Sequence, residues 1–339
     1  MKKIKNKIHD GHSYMLFRDS AIYINPIVNR VIADSNVNID VDDETLNHAW
    51  KKIQFLKQNN LQRSDNKDMF VDLQPEEIES QLANLQQVVF EVTDSCNLKC
   101  KYCGYGEFYE DYDARQNNFL NFSRARLLLD YLIQKWNSSL NTSHGANLYI
   151  SFYGGEPLMN MKFIREVVSY MEKAPLKHNQ CNFSMTTNAT LLDKYLPYLV
   201  EHNIRLLISL DGDKEGHSYR VSHNGDNSFN KVYENIKLIQ KNYPDYFNTQ
   251  VNFNSVLHNR NSVDGVYHFI KKEFDKVPAI TELNNTGIKP EKHDEFFAAY
   301  QNLTESLYQS EDYSRIKKDM FFKIGEVREI GRASCRERV

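Results

Sequence analysis

The stretch Val88–Gly106, VVFEVTDSCNLKCKYCGYG, runs from a β-branched, apolar segment straight into a loop that carries three cysteines. The Val, Phe and Thr density predicts a strand over Val88–Asp94. The Asn, Lys and Gly residues beyond it predict a loop at that strand's C-terminal end. Cys96, Cys100 and Cys103 fall close together, while the other two of the five cysteines, Cys181 and Cys335, lie far away. Three sulfurs are one short of the closed tetrahedral set that structural zinc takes.

A short β-rich run followed by a helical one recurs down the chain. Further strands are predicted at Leu148–Tyr153, Asn182–Thr187, Arg205–Leu210, Gln250–Leu257 and Ala279–Leu283. Leu128, Leu132 and Trp136 line the first helix, with Ser123 as its cap. Phe163, Val167 and Met171 line the second, which Ala174–Pro175 ends. Pro197 is expected to break or restart the third. Phe229, Val232, Ile236 and Ile239 stripe the fourth; Val263, Val266 and Ile270 stripe the fifth; a sixth begins near His293. Such alternation implies parallel strands joined by right-handed crossovers. Six units fall short of the eight-stranded closed barrel. They predict an α/β fold, a partial (β/α)6 TIM-like barrel, with a doubly wound sheet as the competitor.

The expected organisation has four parts. Residues 1–85 form a small N-terminal α+β module, a candidate for gripping a peptide or leader by strand addition. Residues 86–290 form the barrel, and 291–330 begin a post-barrel region. Residues 331–339, GRASCRERV, carry three arginines and no lysine in a lysine-rich chain. They read as a non-native tail, so the natural frame is expected to continue past about Glu329. Within the first module, Ser13–Arg18 and Ala21–Ile24 read as a strand pair. Asp42 or Asp43 is expected to cap a helix with Leu46, Trp50 and Ile53 inward, and Pro75 to open another.

The 339 residues are 41% apolar and 26% charged, an ordinary globular composition. A net charge of −3 argues against a broad nucleic-acid surface. No apolar run approaches the roughly 20 residues that span a bilayer, and the basic start lacks the apolar stretch of a signal peptide. Clustered cysteines without a disulfide pattern suit a reducing, cytoplasmic setting.

The cysteine triad admits three readings. Zinc needs a distant fourth ligand, with His144 or Cys181 as candidates. Buried, inert thiols fit poorly with a Lys-, Asn- and Gly-bearing loop. An iron–sulfur cube fits the count best. Thiolates are its usual ligands, and three of them leave one iron open to a substrate or cofactor.

The C-x3-C-x2-C spacing, with Tyr102 before the third cysteine, resembles the radical S-adenosylmethionine (SAM) superfamily. Three later strand ends, YGGEP at Tyr153–Pro157, TTNAT at Thr186–Thr190 and ISLDG at Ile208–Gly212, extend the resemblance, as does HSYR ending at Arg220. Their order is similar to the peptide- and protein-modifying (SPASM-type) subgroup, which includes maturases of ribosomally made peptides and anaerobic sulfatase maturases. The resemblance implies a [4Fe–4S] cluster on Cys96, Cys100 and Cys103, with SAM as the second cofactor. It implies that Gly154, Gly155, Glu156 and Pro157 hold the methionine end, the Glu156 carboxylate taking its ammonium. Tyr102, Asn188, Ser209, Asp211 and Arg220 would line the remaining cofactor surface, Ser209 toward the ribose and Arg220 toward the carboxylate or ribose. Tyr105 is a candidate cover for the cofactor, and Asn254 and Glu282 are candidates to face the cavity. No residue is assigned as an acid or base.

The implied activity is reductive cleavage of SAM to a 5′-deoxyadenosyl radical, which takes hydrogen from a ribosomally made peptide or protein. A reduced flavodoxin or ferredoxin would supply the electron. The alternatives are a sulfatase-maturase-like modification and a catalytically incomplete peptide-binding fragment. One departure stands out. Members of this subgroup usually carry cysteine-rich C-terminal auxiliary clusters, whereas only Cys335 follows Cys181 here.

Overall fold

The computed structural model describes residues 3–9, 12–17, 20–24, 74–110 and 115–320. The predicted helix at Asp42 or Asp43, Tyr112, and the 331–339 tail with Cys335 lie outside the described residues. The chain divides into two compact units, Met1–Gln74 and Pro75–Val339. The boundary thus precedes the helix that opens at Pro75 rather than following it.

In the first unit, β1 (Lys3–His9), β2 (His12–Phe17) and β3 (Ser20–Ile24) form an antiparallel sheet in that order. His9 pairs with His12 and Phe17 with Ser20. The last two strands match the predicted pair. The first, KIKNKIH, is too rich in lysine for propensity to reveal it.

The second unit opens on α1 (Pro75–Ala83) and builds a six-stranded sheet. Its strands are β4 (Gln87–Thr93), β5 (Asn147–Gly154), β6 (Gln180–Thr187), β7 (Arg205–Ser209), β8 (Val251–Leu257) and β9 (Ala279–Glu282). Every adjacent pair is parallel and the spatial order equals the chain order. A doubly wound sheet reverses its order at a switch point; this one never does. The architecture is the open, partial (β/α)6 barrel.

The crossovers are α2 (Phe122–Trp136), α3 (Met161–Glu172), α4 (Leu192–Glu201), α5 (Phe229–Asn242) with the short α6 (Pro244–Gln250), and α7 (Val263–Phe274). Three details differ from expectation. The N-cap of α2 is Asn121, whose side chain accepts the Ser123 amide, so Ser123 lies inside the first turn. That helix buries Ala125, Leu129, Leu132, Ile133 and Trp136, while Leu128 is exposed. The helix α4 passes through Pro197 unbroken. The bond lost is the one a residue at 197 would give to Asp193 at i−4, and burial of Leu192, Leu196 and Leu199 holds the helix together without it.

One continuous core joins the sheet to these helices, from Val92, Ile150 and Met185 through Ile208 to Phe253. A smaller aromatic cluster of Tyr102, Phe108, Tyr109, Tyr219, Leu283 and Phe296 sits apart from it and seats the cysteine loop. After β9 come α8 (His293–Ala299) and α9 (Leu303–Tyr308). Glu282 anchors this segment: its carboxylate accepts the Tyr300 hydroxyl (2.5 Å) and the Leu303 amide (2.7 Å). It is therefore a structural tie rather than a cavity-facing group. No helix among the described residues is long and apolar enough to cross a membrane.

Phe253 on β8 is fully buried and stacks on Phe274 with centroids 4.9 Å apart. F253A should lower unfolding free energy by about 3–5 kcal/mol through the cavity it leaves. L127A, at an exposed position, should change it by less than about 0.5 kcal/mol. Urea denaturation checks both.

Candidate active site

Strand β4 ends at Thr93, and the chain turns over the sheet's C-terminal edge as the cysteine loop. The root of this loop is tied to the returning segment. The Asp94 carboxylate accepts the amides of Gln116 (2.9 Å) and Asn118 (2.8 Å), and the Thr93 hydroxyl donates to the Asn118 carbonyl. Its outer side pairs with residues 219–223: the Lys99 amide donates to Val221 (2.7 Å), the Lys101 amide to Tyr219 (3.1 Å), and His223 Nε2 meets the Cys96 carbonyl at 2.9 Å. Turns from Cys100 to Cys103 and from Cys103 to Gly106 fold the tip. Phe108 and Tyr109 are buried beneath it, as loop packing requires.

This folding brings the three thiols together. All three are half-buried; the charge of Cys103 acts on both Cys96 and Cys100, and that of Cys96 acts on Cys100. Burial pushes the Cys96 thiol up to about 11 and the Cys100 thiol to about 12, and it raises Cys103 as well. Desolvated thiols stay protonated unless a cation compensates their charge, and bound metal supplies that compensation. A four-iron cube gives each thiolate its own iron, and three thiols on one loop fit that demand.

The GGEP turn presses on the root of the loop. Gly154 has φ +125°, and a Cβ there would meet the Thr93 carbonyl oxygen at 2.3 Å. A Cβ on Gly155 would lie 2.0 Å from the Ser95 carbonyl oxygen. Only glycine permits this approach, which lets the Gly155 and Glu156 amides donate to Thr93 and Ser95, both at 2.8 Å. Pro157 starts a 3-10 turn, Pro157–Asn160, and the Asn160 side chain reaches back to the Val92 carbonyl at 2.8 Å.

Two residues expected at the cofactor have their partners within the protein here. Glu156 is fully buried, and its carboxylate accepts the Thr187 hydroxyl (2.7 Å), the Asn188 amide (2.8 Å) and the Leu158 amide (3.1 Å). It ties the end of β5 to the end of β6. Burial raises its carboxyl to about 7 against these hydrogen bonds. Asp211 is equally buried. Arg220 grips it with Nε (2.8 Å) and Nη2 (3.1 Å), the Val256 amide donates to it at 2.9 Å, and the Tyr102 hydroxyl donates to Oδ2. Burial opposes the Asp211 charge, but the Arg220 guanidinium outweighs it and holds the carboxyl below the usual aspartate value.

Tyr102 and Arg220 are therefore committed to Asp211 through their polar ends, and the guanidinium lies 5.4 Å over the Tyr102 ring. His217 completes this knot. Its Nδ1 accepts the Asp211 amide (3.4 Å), so Nε2 carries the proton toward Ser228 Oγ at 3.0 Å. Burial keeps that ring neutral, with its pKa at about 3.

Asn188, at the end of β6, lies where the motif suggests: its Nδ2 is 3.7 Å from Cys96 Sγ and 2.9 Å from Asn97 Oδ1. Ser209 ends β7 and is buried. Sequence reasoning missed Arg115, whose Nη2 donates to Cys103 Sγ at 3.2 Å. It also missed His258, fully buried and stacked on Tyr102 at 5.6 Å. Neither carries a spacing signal, because each reaches the loop only through the fold. Tyr105 stacks under the Arg115 guanidinium at 5.1 Å, which gives that ring a partner within the protein.

Residues 90–272 match the radical SAM superfamily, and the chain belongs to that family. Its cofactors are the [4Fe–4S] cluster and S-adenosylmethionine. Among particular relatives, a cysteine-type anaerobic sulfatase-maturating enzyme of Clostridium novyi is 30% identical over 214 residues, which cover 60% of this chain and 54% of that one. The radical SAM cyclopropyl synthase TigE of Paramaledivibacter caminithermalis is 28% identical over 174 residues, 49% of this chain and 34% of its own. The structure of native anSMEcpe with bound AdoMet has the same fold, with a TM-score of 0.50, 23% identity, and coverage of 68% and 62% of the two chains. The chain thus spans about half or less of these two sequence relatives.

D211N should leave the Arg220 cation buried without its counter-charge and cost about 3–5 kcal/mol; a variant as stable as wild type in urea would contradict that. Glu156 gives a pH signature. Its folded value of about 7 exceeds the ordinary 4.5. Its contribution is full below the lower value and is lost as pH rises through the upper one. In metal-free protein, E156Q should remove this downward slope between about pH 5 and pH 8. The difference between the two proteins' denaturation midpoints isolates it.

Proposed function

We propose that this chain is a radical SAM peptide or protein maturase. The observation that supports the reading is a single loop at the C-terminal end of β4 that carries three half-buried thiols. That edge is where barrels of this kind build active sites. Cys96, Cys100 and Cys103 would hold the cluster. Gly154, Gly155, Glu156 and Pro157, with Tyr102, Asn188, Ser209, Asp211 and Arg220, would line the SAM site. When bound, the cluster and SAM together supply a 5′-deoxyadenosyl radical by one-electron reductive cleavage.

The protein's own part is placement and exclusion. Glycines at 154 and 155 let backbone approach backbone at the root of the loop, so the turn and the cysteines keep a fixed separation. Asn188 presents a donor beside Cys96 Sγ. The Asp211 knot fixes the Tyr102 ring directly before Cys103. No side chain need act as a general base for hydrogen-atom abstraction. What the residues must do is keep water out, because quenching competes with transfer.

A ribosomally made peptide or a protein is the proposed substrate, and the sulfatase-maturating relative supports it. A modification of the sulfatase-maturating kind is the second reading, favoured by the same relative. The proposal includes a reduced flavodoxin or ferredoxin as electron donor and a reducing, cytoplasmic setting, which suits four free thiols among the described residues. Anaerobic reconstitution should load about four irons per chain, and dithionite with SAM should then release 5′-deoxyadenosine. Replacing Cys96, Cys100 and Cys103 together by Ala should abolish the cluster absorbance. A cluster that survives the triple substitution would overturn the reading.

A further inference from the structure

The inference concerns Arg115 and rests on the cysteines holding a cluster. Its guanidinium is placed by three contacts. Nη2 donates to Cys103 Sγ at 3.2 Å, Nη1 reaches the Leu98 carbonyl at 3.5 Å, and the plane stacks on Tyr105 at 5.1 Å. The two nitrogens therefore span the loop, from the residue between its first two cysteines to the third cysteine's sulfur. Its Nε is buried without a hydrogen-bond partner, so the head group is partly shielded from water. Among the described residues, no carboxylate pairs with it, whereas the other nearby guanidinium, Arg220, is neutralised by Asp211.

We propose that Arg115 sets the reduction potential of the cluster by directing a charged hydrogen bond at the Cys103 sulfur and clamping that end of the loop. Hydrogen bonds to cluster sulfurs and nearby charge are general determinants of such potentials. One-electron reduction of the cluster, by dithionite or a mediator at an electrode, adds one negative charge to it. A fixed positive charge in a partly desolvated site favours the more negative state. Arg115 thus raises the potential toward the reach of a biological donor. Asn188 and the Leu98 amide also approach a sulfur, that of Cys96, but both are neutral. The charged donor is the one on Cys103.

The experiment is a redox titration of the reconstituted protein without SAM, followed by the electron paramagnetic resonance of the reduced cluster. R115Q keeps a donor of similar reach and removes the charge. It should hold the wild-type complement of iron and sulfide. Its midpoint should move negative by about 60 mV, a tenfold less favourable reduction equilibrium for one electron. R115K keeps the charge and should lie close to wild type. A fully loaded R115Q protein with the wild-type midpoint overturns the proposal. If R115Q takes up no cluster, R115K decides: a midpoint at the wild-type value supports the charge reading, and one displaced tenfold in the equilibrium overturns it. Wild-type protein that takes up no iron overturns the proposed function, and this inference with it.

Discussion

The Asp211 carboxylate is the fixed point of the site. It lies at zero exposure just beyond β7 and receives donors from three other places in the chain: Tyr102 in the cysteine loop, Arg220 in the segment that braces that loop, and the Val256 amide on β8. A buried ion pair adds little net stability, because desolvation offsets its attraction, but breaking it is costly. Its value here is positional. The same carboxylate orients the residue before Cys103 and the arginine that follows Tyr219, so the cysteine loop and its brace cannot shift independently.

A second constraint acts from the opposite side. The Gly154 and Gly155 backbone sits against Thr93 and Ser95 more closely than any side chain would allow. Glu156 then fastens the turn to β6 through Thr187 and Asn188. The loop is thus held at its root by a glycine contact and at its tip by a buried charge, and its three sulfurs are set between them. Such redundancy suits a group of desolvated thiols, which without metal have no strong interaction of their own to hold them in register. Partial burial also gives Arg115 its leverage, since a charge beside sulfur counts for more where water is scarce.

Much of this was legible in one dimension. Alternating strands and helices revealed the six units because the 2- and 3.6-residue periods are local properties. The cysteine triad and its position after a strand pointed to the site for the same reason. The errors are equally physical. Pro197 looked like a breaker, but the buried Leu192, Leu196 and Leu199 hold the helix together despite the lost hydrogen bond. The donors that the protein gives to Glu156 and Asp211 were not legible either, because Thr187 and the Val256 amide reach them from distant segments.

By itself the sequence determined the repeating unit, the parallel direction of the sheet and the chemistry of three thiolates, all of which follow from residue type and spacing. Only the tertiary structure decided which polar groups face one another. Arg115 meets Cys103, His258 stacks on Tyr102, and Arg220 locks onto Asp211 because strand order carries distant segments to the same edge of the sheet. Pairings of that kind depend on burial and distance, and neither is written in the local pattern of the chain.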